Sequence, residues 1–361
     1  MNILAIDPGS TSTKVGVQRA GKLVKATIEH PRCDIESFHA VMEQLDYRME
    51  HLVRYLRETG AEQLHWDAVV GRGGLVRPVP SGVYLVEDHL LADLMRGVNG
   101  EHAANLGGVM AHAVATRQGV PAYVVDPPVI DEMWPVARIS GMAGIERRSM
   151  FHALNQKAVA RDVARELGKP YQELNLIVAH LGGGITVGAH RLGLVVDVNN
   201  GLNGDGPFSP ERTGGLPVIG VLQLVEQGAF TTEQLKSIVA RKGGVFSYLG
   251  TVDLREAEES AQQGDRWAAL VLEAMVYQIA KEIGALAAAL SGEVDGIVLT
   301  GGLAFSRTVV AGVRQRVAFI APLFVRPGEF EIEALVEGAC RVLSGAEQAR
   351  RYPGGADEDR A

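Results

Sequence analysis

A chain of 361 residues has room for about two domains of the usual ~150 residues, and its 47% hydrophobic content gives each a core, which excludes a small or disordered protein. The formal net charge of −8 excludes a protein whose main task is to grip nucleic acid or an anionic membrane, so any anionic substrate falls to a few local arginines. Cys33 and Cys340 lie far apart without metal-ligand spacing, which argues against a disulfide scaffold or a zinc site. The opening Met1 to Asp7 has no basic segment before a long apolar one, and no later run stays apolar for ~20 residues; the expectation is a cytoplasmic, unanchored protein.

In chain order, residues 3–6 form an apolar strand, Asp7-Pro8-Gly9-Ser10 a turn, 11–17 a β-branched strand and 23–28 another. From Ile35 to Glu58 apolar positions keep helical spacing, with Gly60 as the stop. The strand Ala68-Val69-Val70 runs into Gly71-Arg72-Gly73-Gly74. Residues 101–118 read as a helix, Ala122 to Val125 as a strand, and the Pro-rich stretch Asp126 to Pro135 as a crossing between domains. After a helix from Ala153 to Leu167 the opening pattern restarts: an apolar strand, Leu176 to Ala179, meets His180-Leu181-Gly182-Gly183-Gly184-Ile185-Thr186. A helix from Arg266 to Leu290, carrying Leu270, Met275, Ile279 and Ile283, reads as core and feeds the strand Gly296 to Thr300, which ends at Gly301-Gly302. Strands alternating with helices imply a parallel or mixed sheet under helical cover. The repeat implies two related α/β domains, residues 1–127 and 128–337, with a final helix at about 338–361 returning to the first.

Three turns leave a strand with glycine exposed: Asp7 to Lys14, His180 to Thr186, and Leu299-Thr300-Gly301-Gly302. Glycine lets backbone amides close on phosphate oxygens, and Ser or Thr adds donors without bulk. Any one of them alone is a weak sign, because most Gly-rich hairpins are only turns. None matches the P-loop or the dinucleotide-binding pattern.

Their order, an opening Asp-x-Gly-Ser-x-Ser-x-Lys, a Gly-rich strand pair in mid-chain and an apolar strand ending in Thr-Gly-Gly, resembles the superfamily of sugar kinases, Hsp70, actin and acetate kinase. Within it, Arg147-Arg148-Ser149-Met150-Phe151-His152, Ala179-His180-Leu181-Gly182 and the loop Gly204 to Gly215 containing Arg212 resemble segments of the acetate and butyrate kinase family, with butyrate kinases the nearer likeness. The resemblance implies two ribonuclease H-like (actin-like ATPase) domains with an active-site cleft between them. It also implies a homodimer, with ATP/ADP and Mg²⁺ as cofactors, that moves a phosphoryl group in line between ATP and butyrate or a branched short-chain acid; acetate or propionate is the alternative substrate.

On the same likeness Arg72 and Arg212 hold the carboxylate and the phosphoryl in flight, where a guanidinium fork suits both oxyanions. His152 donates to the phosphoryl, His180 touches the phosphates, and His102 lies near the acyl site. Asp7, Ser10, Ser12, Lys14, Gly182, Gly183, Gly184, Gly301 and Gly302 line the nucleotide. Asp126 and Glu337 serve Mg²⁺, with Glu333 as the other possibility for the second. Asp7 stands where acetate kinases carry Asn. Val70, Val83 and Pro127 to Ile130 are the expected lining for an acyl tail. An ATP-switched binding protein of the same architecture would keep the glycine turns without needing Arg72, His152 and Arg212 together. A sugar kinase would need an aspartate base, which Asp126 could supply, whereas a carboxylate is already deprotonated at pH 7.

Overall fold

The computed structural model describes residues 1–354. The chain divides into two compact units, one of Met1–Ile130 with the chain from Phe330 onward, the other of Asp131–Glu329.

The first unit holds six strands: β1 (Ile3–Pro8), β2 (Ser12–Arg19), β3 (Lys22–Glu29), β4 (Ala68–Arg72), β5 (Val83–Leu85) and β6 (Ala122–Val125), in the order β3-β2-β1-β4-β6-β5. β1 to β3 form an antiparallel meander, and β1, β4 and β6 run parallel. A parallel centre is covered on both faces, which is why Ile3, Leu4, Ala5 and Ile6 are all apolar and fully buried. The helix Asn105–Gln118 approaches β4 backbone to backbone: a Cβ on Gly71 would stand 2.0 Å from the Gly107 carbonyl oxygen, so only glycine fits there.

The second unit repeats the arrangement with β7 (Asn175–Leu181), β8 (Ile185–Arg191), β9 (Leu194–Val198), β10 (Gly296–Gly301) and β11 (Leu323–Pro327), in the order β11-β10-β7-β8-β9. Again a meander of three strands precedes two parallel ones, β10 beside β7 and β11 beside β10. Both sheets therefore have the ribonuclease H-like order that the sequence implied. The helix Arg266–Ala289 buries Met275, Ile279 and Ile283 completely against β7 and β8, while Leu270 on its other side is exposed.

Three expectations need correction. The stretch from Ile35 to Glu58 is not one helix: Arg32–Glu36 ends where the Ser37 hydroxyl donates to the Asp34 carbonyl, and a new start is made where Glu43 accepts the amides of His39 and Ala40. Such side-chain bonds to backbone compete with helix continuation. The helix expected over 101–118 begins only at Asn105, because the His102 ring accepts the Ala104 amide and holds a turn before it. The last helix spans Glu331–Leu343, not 338 onward, and so carries Glu333 and Glu337 in the first unit. The chain after Gly345 is tied down: Arg350 pairs with Val83 and Leu85, and the buried Tyr352 hydroxyl donates to Asp93 and accepts the Arg77 amide. The remainder of that expected helix, 355–361, lies outside the described residues. Among the described residues, no helix is long and apolar enough to cross a membrane.

Candidate active site

In the first unit the functional side chains stand at the C-terminal ends of the parallel strands, where doubly wound sheets place their ligands. Asp7, near the end of β1, and Arg72, at the end of β4, meet there, with Arg72 Nη1 3.2 Å from Asp7 Oδ1. Lys14 lies across from Asp7 in the β1–β2 register, and Gly9 donates to the Ser12 carbonyl to close the turn between them.

Beneath that turn sits a residue the sequence reading missed. Arg48 is fully buried, and its guanidinium donates to the Ser10 and Ser12 carbonyls, the Thr13 hydroxyl and, twice, Gln44 Oε1. All these acceptors are uncharged, and burial pushes Arg48 down to about 10. The signal was present in the sequence as a charge on the apolar stripe of Leu45–Glu58, one position before Met49 and one turn before Leu52.

Asp126 directly follows β6 and has φ of +40°, a left-handed conformation that costs a non-glycine residue roughly 1 kcal/mol or more and clusters at functional sites. It is buried, and Oδ1 accepts the Gly82 amide at 2.8 Å. Gly338, beside Glu337, packs on Val125, the neighbour of Asp126, whereas Glu333 one turn earlier is bonded to Lys25 on β3. Of the two glutamates, Glu337 is thus the one next in sequence to a residue packed on β6. His102 is exposed in the turn before Asn105. Val70, Val83, Val129 and Ile130 do not line an open pocket; all four are buried in the core of this unit, Val70 on the central strand β4 and Val83 on the edge strand β5.

In the second unit the chain reverses at Gly182-Gly183-Gly184 between β7 and β8, and Thr300, Gly301 and Gly302 end β10 alongside, with Thr300 in register with His180. Gly301 takes φ of +87°, and a Cβ there would stand 2.4 Å from the Leu181 carbonyl oxygen, so the two glycine turns touch. His152 begins the helix Ala153–Glu166, and its ring stacks on that of His180 at 3.9 Å between centroids and 12° between planes. Asn155, in the first turn of the same helix, accepts from His180 Nδ1 at 2.9 Å. Thr186 Oγ1 meets His152 Nδ1 at 2.8 Å. The sequence reading did not single out Asn155 or Thr186, although Thr186 faces His180 across the hairpin.

Arg212 completes this end. Its backbone is pinned through Ser209, whose hydroxyl accepts the Arg212 amide at 3.0 Å, and Nη1 donates to the Gly201 carbonyl at 2.7 Å. The guanidinium lies flat on the glycine turn, for a Cβ on Gly184 would fall 2.0 Å from Nη1. Its nearest carboxylate oxygen, from Glu211, is 3.7 Å away, and Nε is buried with no hydrogen-bond partner. Burial lowers its affinity for a proton, Glu211 opposes that, and Arg241 adds to it. A buried donor left orphaned on a cation is a group that an oxyanion could satisfy.

No cluster of three or more His, Cys, Asp or Glu side chains suited to a metal occurs among the described residues. Mg²⁺ needs no such cage, since it is commonly held by one or two carboxylates together with substrate phosphates and water, and the buried Asp126 carboxylate at the end of β6 is a donor of that kind.

The fold is similar to that of acetate kinase from Porphyromonas gingivalis (TM-score 0.78, 20% identity, 94% of this chain and 99% of that one), and to a propionate kinase from Francisella tularensis (0.75, 18%, 93% and 98%). Acetate kinase from Entamoeba histolytica is similar as well (0.75, 15%, 94% and 98%). The acetokinase family matches residues 138–321, which is just over half of the chain, lies within the second unit and includes His152, the glycine turns and Arg212; the chain belongs to the acetokinase family.

Proposed function

We propose that this protein is a carboxylate kinase that moves the terminal phosphoryl of ATP reversibly to butyrate or a branched short-chain acid, giving an acyl phosphate and ADP. The observation that carries the proposal is Arg212, a half-buried arginine whose buried Nε is orphaned and whose guanidinium lies on a glycine turn, in the unit that also holds two stacked histidines. Phosphoryl transfer asks the protein chiefly for positioning and for cations around the group in flight, and this arrangement offers both.

In this reading Arg212 and Arg72 clamp the phosphoryl and the carboxylate, and His152 donates to a phosphoryl oxygen. His180 and the amides of the glycine turns hold the phosphates. Ser10, Ser12 and Lys14 serve the same end from the first unit, with Asp7 orienting Arg72, and His102 serves the acid. Mg²⁺ carried with the nucleotide would be held through Asp126 and Glu337 and would neutralise phosphate charge. The acceptor oxygen is already ionised at neutral pH, so no base is required for attack.

A homodimer is part of the proposal. Leu216, Val218, Ile219, Leu222 and Val225 are all exposed on and beside the helix Val218–Glu226, which buries none of its residues. A solvated helix would be polar on most of its surface, and an apolar patch of this kind marks an association surface.

The test is purified protein with ATP, Mg²⁺ and a panel of acetate, propionate, butyrate, isobutyrate and sugars, with the acyl phosphate trapped by hydroxylamine. Hydroxamate formed fastest with butyrate or isobutyrate is the expected result. Phosphorylation of a sugar and of no acid overturns the proposal, and a kcat/KM for acetate at or above that for butyrate overturns its chain-length part.

A further inference from the structure

Behind His152 the second unit holds a row of polar side chains that the proposed reaction does not touch. Thr186 Oγ1 lies 2.8 Å from His152 Nδ1, and Gln156 Nε2 lies 3.0 Å from both Thr186 Oγ1 and the Thr186 carbonyl oxygen. Gln156 Oε1 is 3.1 Å from His190 Nε2, and His190 Nδ1 is 2.7 Å from the Tyr171 hydroxyl. Thr186, Gln156 and His190 are fully buried and Tyr171 nearly so.

The protons in this row can run in one direction only. Oε1 of an amide accepts, so His190 Nε2 carries a proton and donates it to Gln156. Burial pushes His190 well below the usual histidine range, with the Lys157 and Arg161 cations adding to the effect, so the ring is neutral and Nδ1 must accept from Tyr171. The Gln156 amide spends its two protons on the Thr186 carbonyl and hydroxyl oxygens. The hydroxyl also receives the longer 3.5 Å contact from the His152 backbone amide. With both lone pairs of Thr186 Oγ1 facing donors, its own proton points to His152 Nδ1. That ring nitrogen is then an acceptor, and in the neutral ring the proton sits on Nε2.

We propose that Thr186, Gln156, His190 and Tyr171 are positioning residues that fix His152 as the Nε2–H tautomer, so that the ring offers a hydrogen-bond donor to a phosphoryl oxygen. The mechanism part rests on the proposed phosphoryl transfer; the tautomer part does not. Without the row, a neutral histidine divides between two tautomers, and one of them would turn a lone pair toward an anionic oxygen. The same row explains why four polar side chains are kept in the interior of a sheet and helix layer where apolar packing would serve for stability alone.

The test uses the full chain with ¹⁵N-labelled histidine, reading the Nδ1 and Nε2 shifts of His152 at neutral pH without nucleotide. Wild type is expected to show protonated Nε2 and unprotonated Nδ1. Gln156→Glu replaces the amide donor with an acceptor of the same shape, so the Thr186 hydroxyl turns to the introduced carboxylate and His152 is expected to switch to Nδ1–H. Thr186→Val, which suits a strand and adds no buried charge, is expected to raise the Nδ1–H population and serves where Gln156→Glu does not fold. Each variant should lose about 10-fold in kcat, with KM for ATP within about 3-fold, since a donor to the transition state is lost while ground-state contacts remain. Wild-type His152 found as Nδ1–H, or a tautomer unchanged in a folded variant, overturns the proposal. A correct tautomer in a protein that phosphorylates no acid overturns the function instead, and a correct tautomer with kcat unchanged in the variants overturns the link between the row and catalysis.

Discussion

Gly184→Ala separates the role of Arg212 in the reaction from its role in the fold. The added Cβ would stand 2.0 Å from Arg212 Nη1, 2.6 Å from Cζ and 3.2 Å from Nε. Ordinary contact is at about 3.5 Å, so the guanidinium must move by about 1.5 Å. It is the far end of a flexible side chain, so the backbone can stay in place. The cost in stability is about the one hydrogen bond to the Gly201 carbonyl, roughly 1 kcal/mol, partly offset by the smaller entropy of the unfolded alanine chain. The cost in rate is larger, because displacement of a positioning charge by about 1 Å is worth on the order of 10²-fold. Initial rates by hydroxamate trapping and a urea melt measure the two. The variant should melt within about 1 kcal/mol of wild type and lose about 10²-fold in kcat. Arg212→Ala alone should lose as much, and the double variant little more than either, since both remove the same interaction. Losses that multiply in the double variant, or a kcat for Gly184→Ala within about 3-fold of wild type, would refute the placement of Arg212 at the transferring group.

Arg48→Met is expected to cost about 1–3 kcal/mol in a urea melt by leaving the Ser10 and Ser12 carbonyls and Gln44 short of a donor, and to raise KM for ATP about 5-fold as the turn loosens; an unaltered KM would make Arg48 a purely structural residue. Burial, reinforced by Asp205, pushes the Glu282 carboxyl up from 4.5 to about 7, so the folded state holds its proton more tightly than the unfolded one. That stabilisation is complete below about pH 4.5 and is lost as pH rises toward 7. Glu282→Gln should therefore gain on wild type by on the order of 1–3 kcal/mol across that window, and a difference independent of pH would refute the assignment. Ile219→Glu with Leu222→Glu should convert a dimer to a monomer in sedimentation velocity, since two charges in an apolar contact cost several kcal/mol; a dimer that persists would place the contact elsewhere.

β1, β4, β6, β7 and β10 were legible in the sequence because each is a short apolar run that stops at glycine or a polar or charged residue, and the restart at Leu176 disclosed the second sheet because its hairpin has the same turn chemistry as the first, whereas β5, β9 and β11 were not singled out. Helix ends were less so. The break after Glu36 depends on Glu43 reaching back to His39 and Ala40, a contact whose residues are ordinary helix formers. The tail after Gly345 is polar in sequence, and only the burial of Tyr352 against Asp93 and Arg77 reveals that it is held. Within the candidate site, charged residues at strand ends were visible as residue types in a motif. The neutral groups that orient them were not, because Thr186 and Gln156 look like any polar residues in a strand and a helix until their partners are known.

The duplicated sheet makes that difference informative. Asp7 and His180 occupy corresponding places, each two residues before the glycine that opens its turn, and each faces a residue across the hairpin, Lys14 in one unit and Thr186 in the other. The neighbouring parallel strand contributes Arg72 in the first unit and Thr300 in the second. The first unit therefore fills these positions with charges, of which Asp7 and Arg72 neutralise one another, while the second fills them with neutral donors and acceptors whose proton positions are set from behind. Its charge comes instead from Arg212, on the loop between β9 and the helix Val218–Glu226, and that charge is left with an open donor. A repeated fold by itself would give two equivalent strand ends. If the proposed phosphoryl transfer holds, the closely paired Asp7 and Arg72 in one unit and the open donor of Arg212 in the other make Arg212, ahead of Arg72, the residue whose loss should be felt most in kcat.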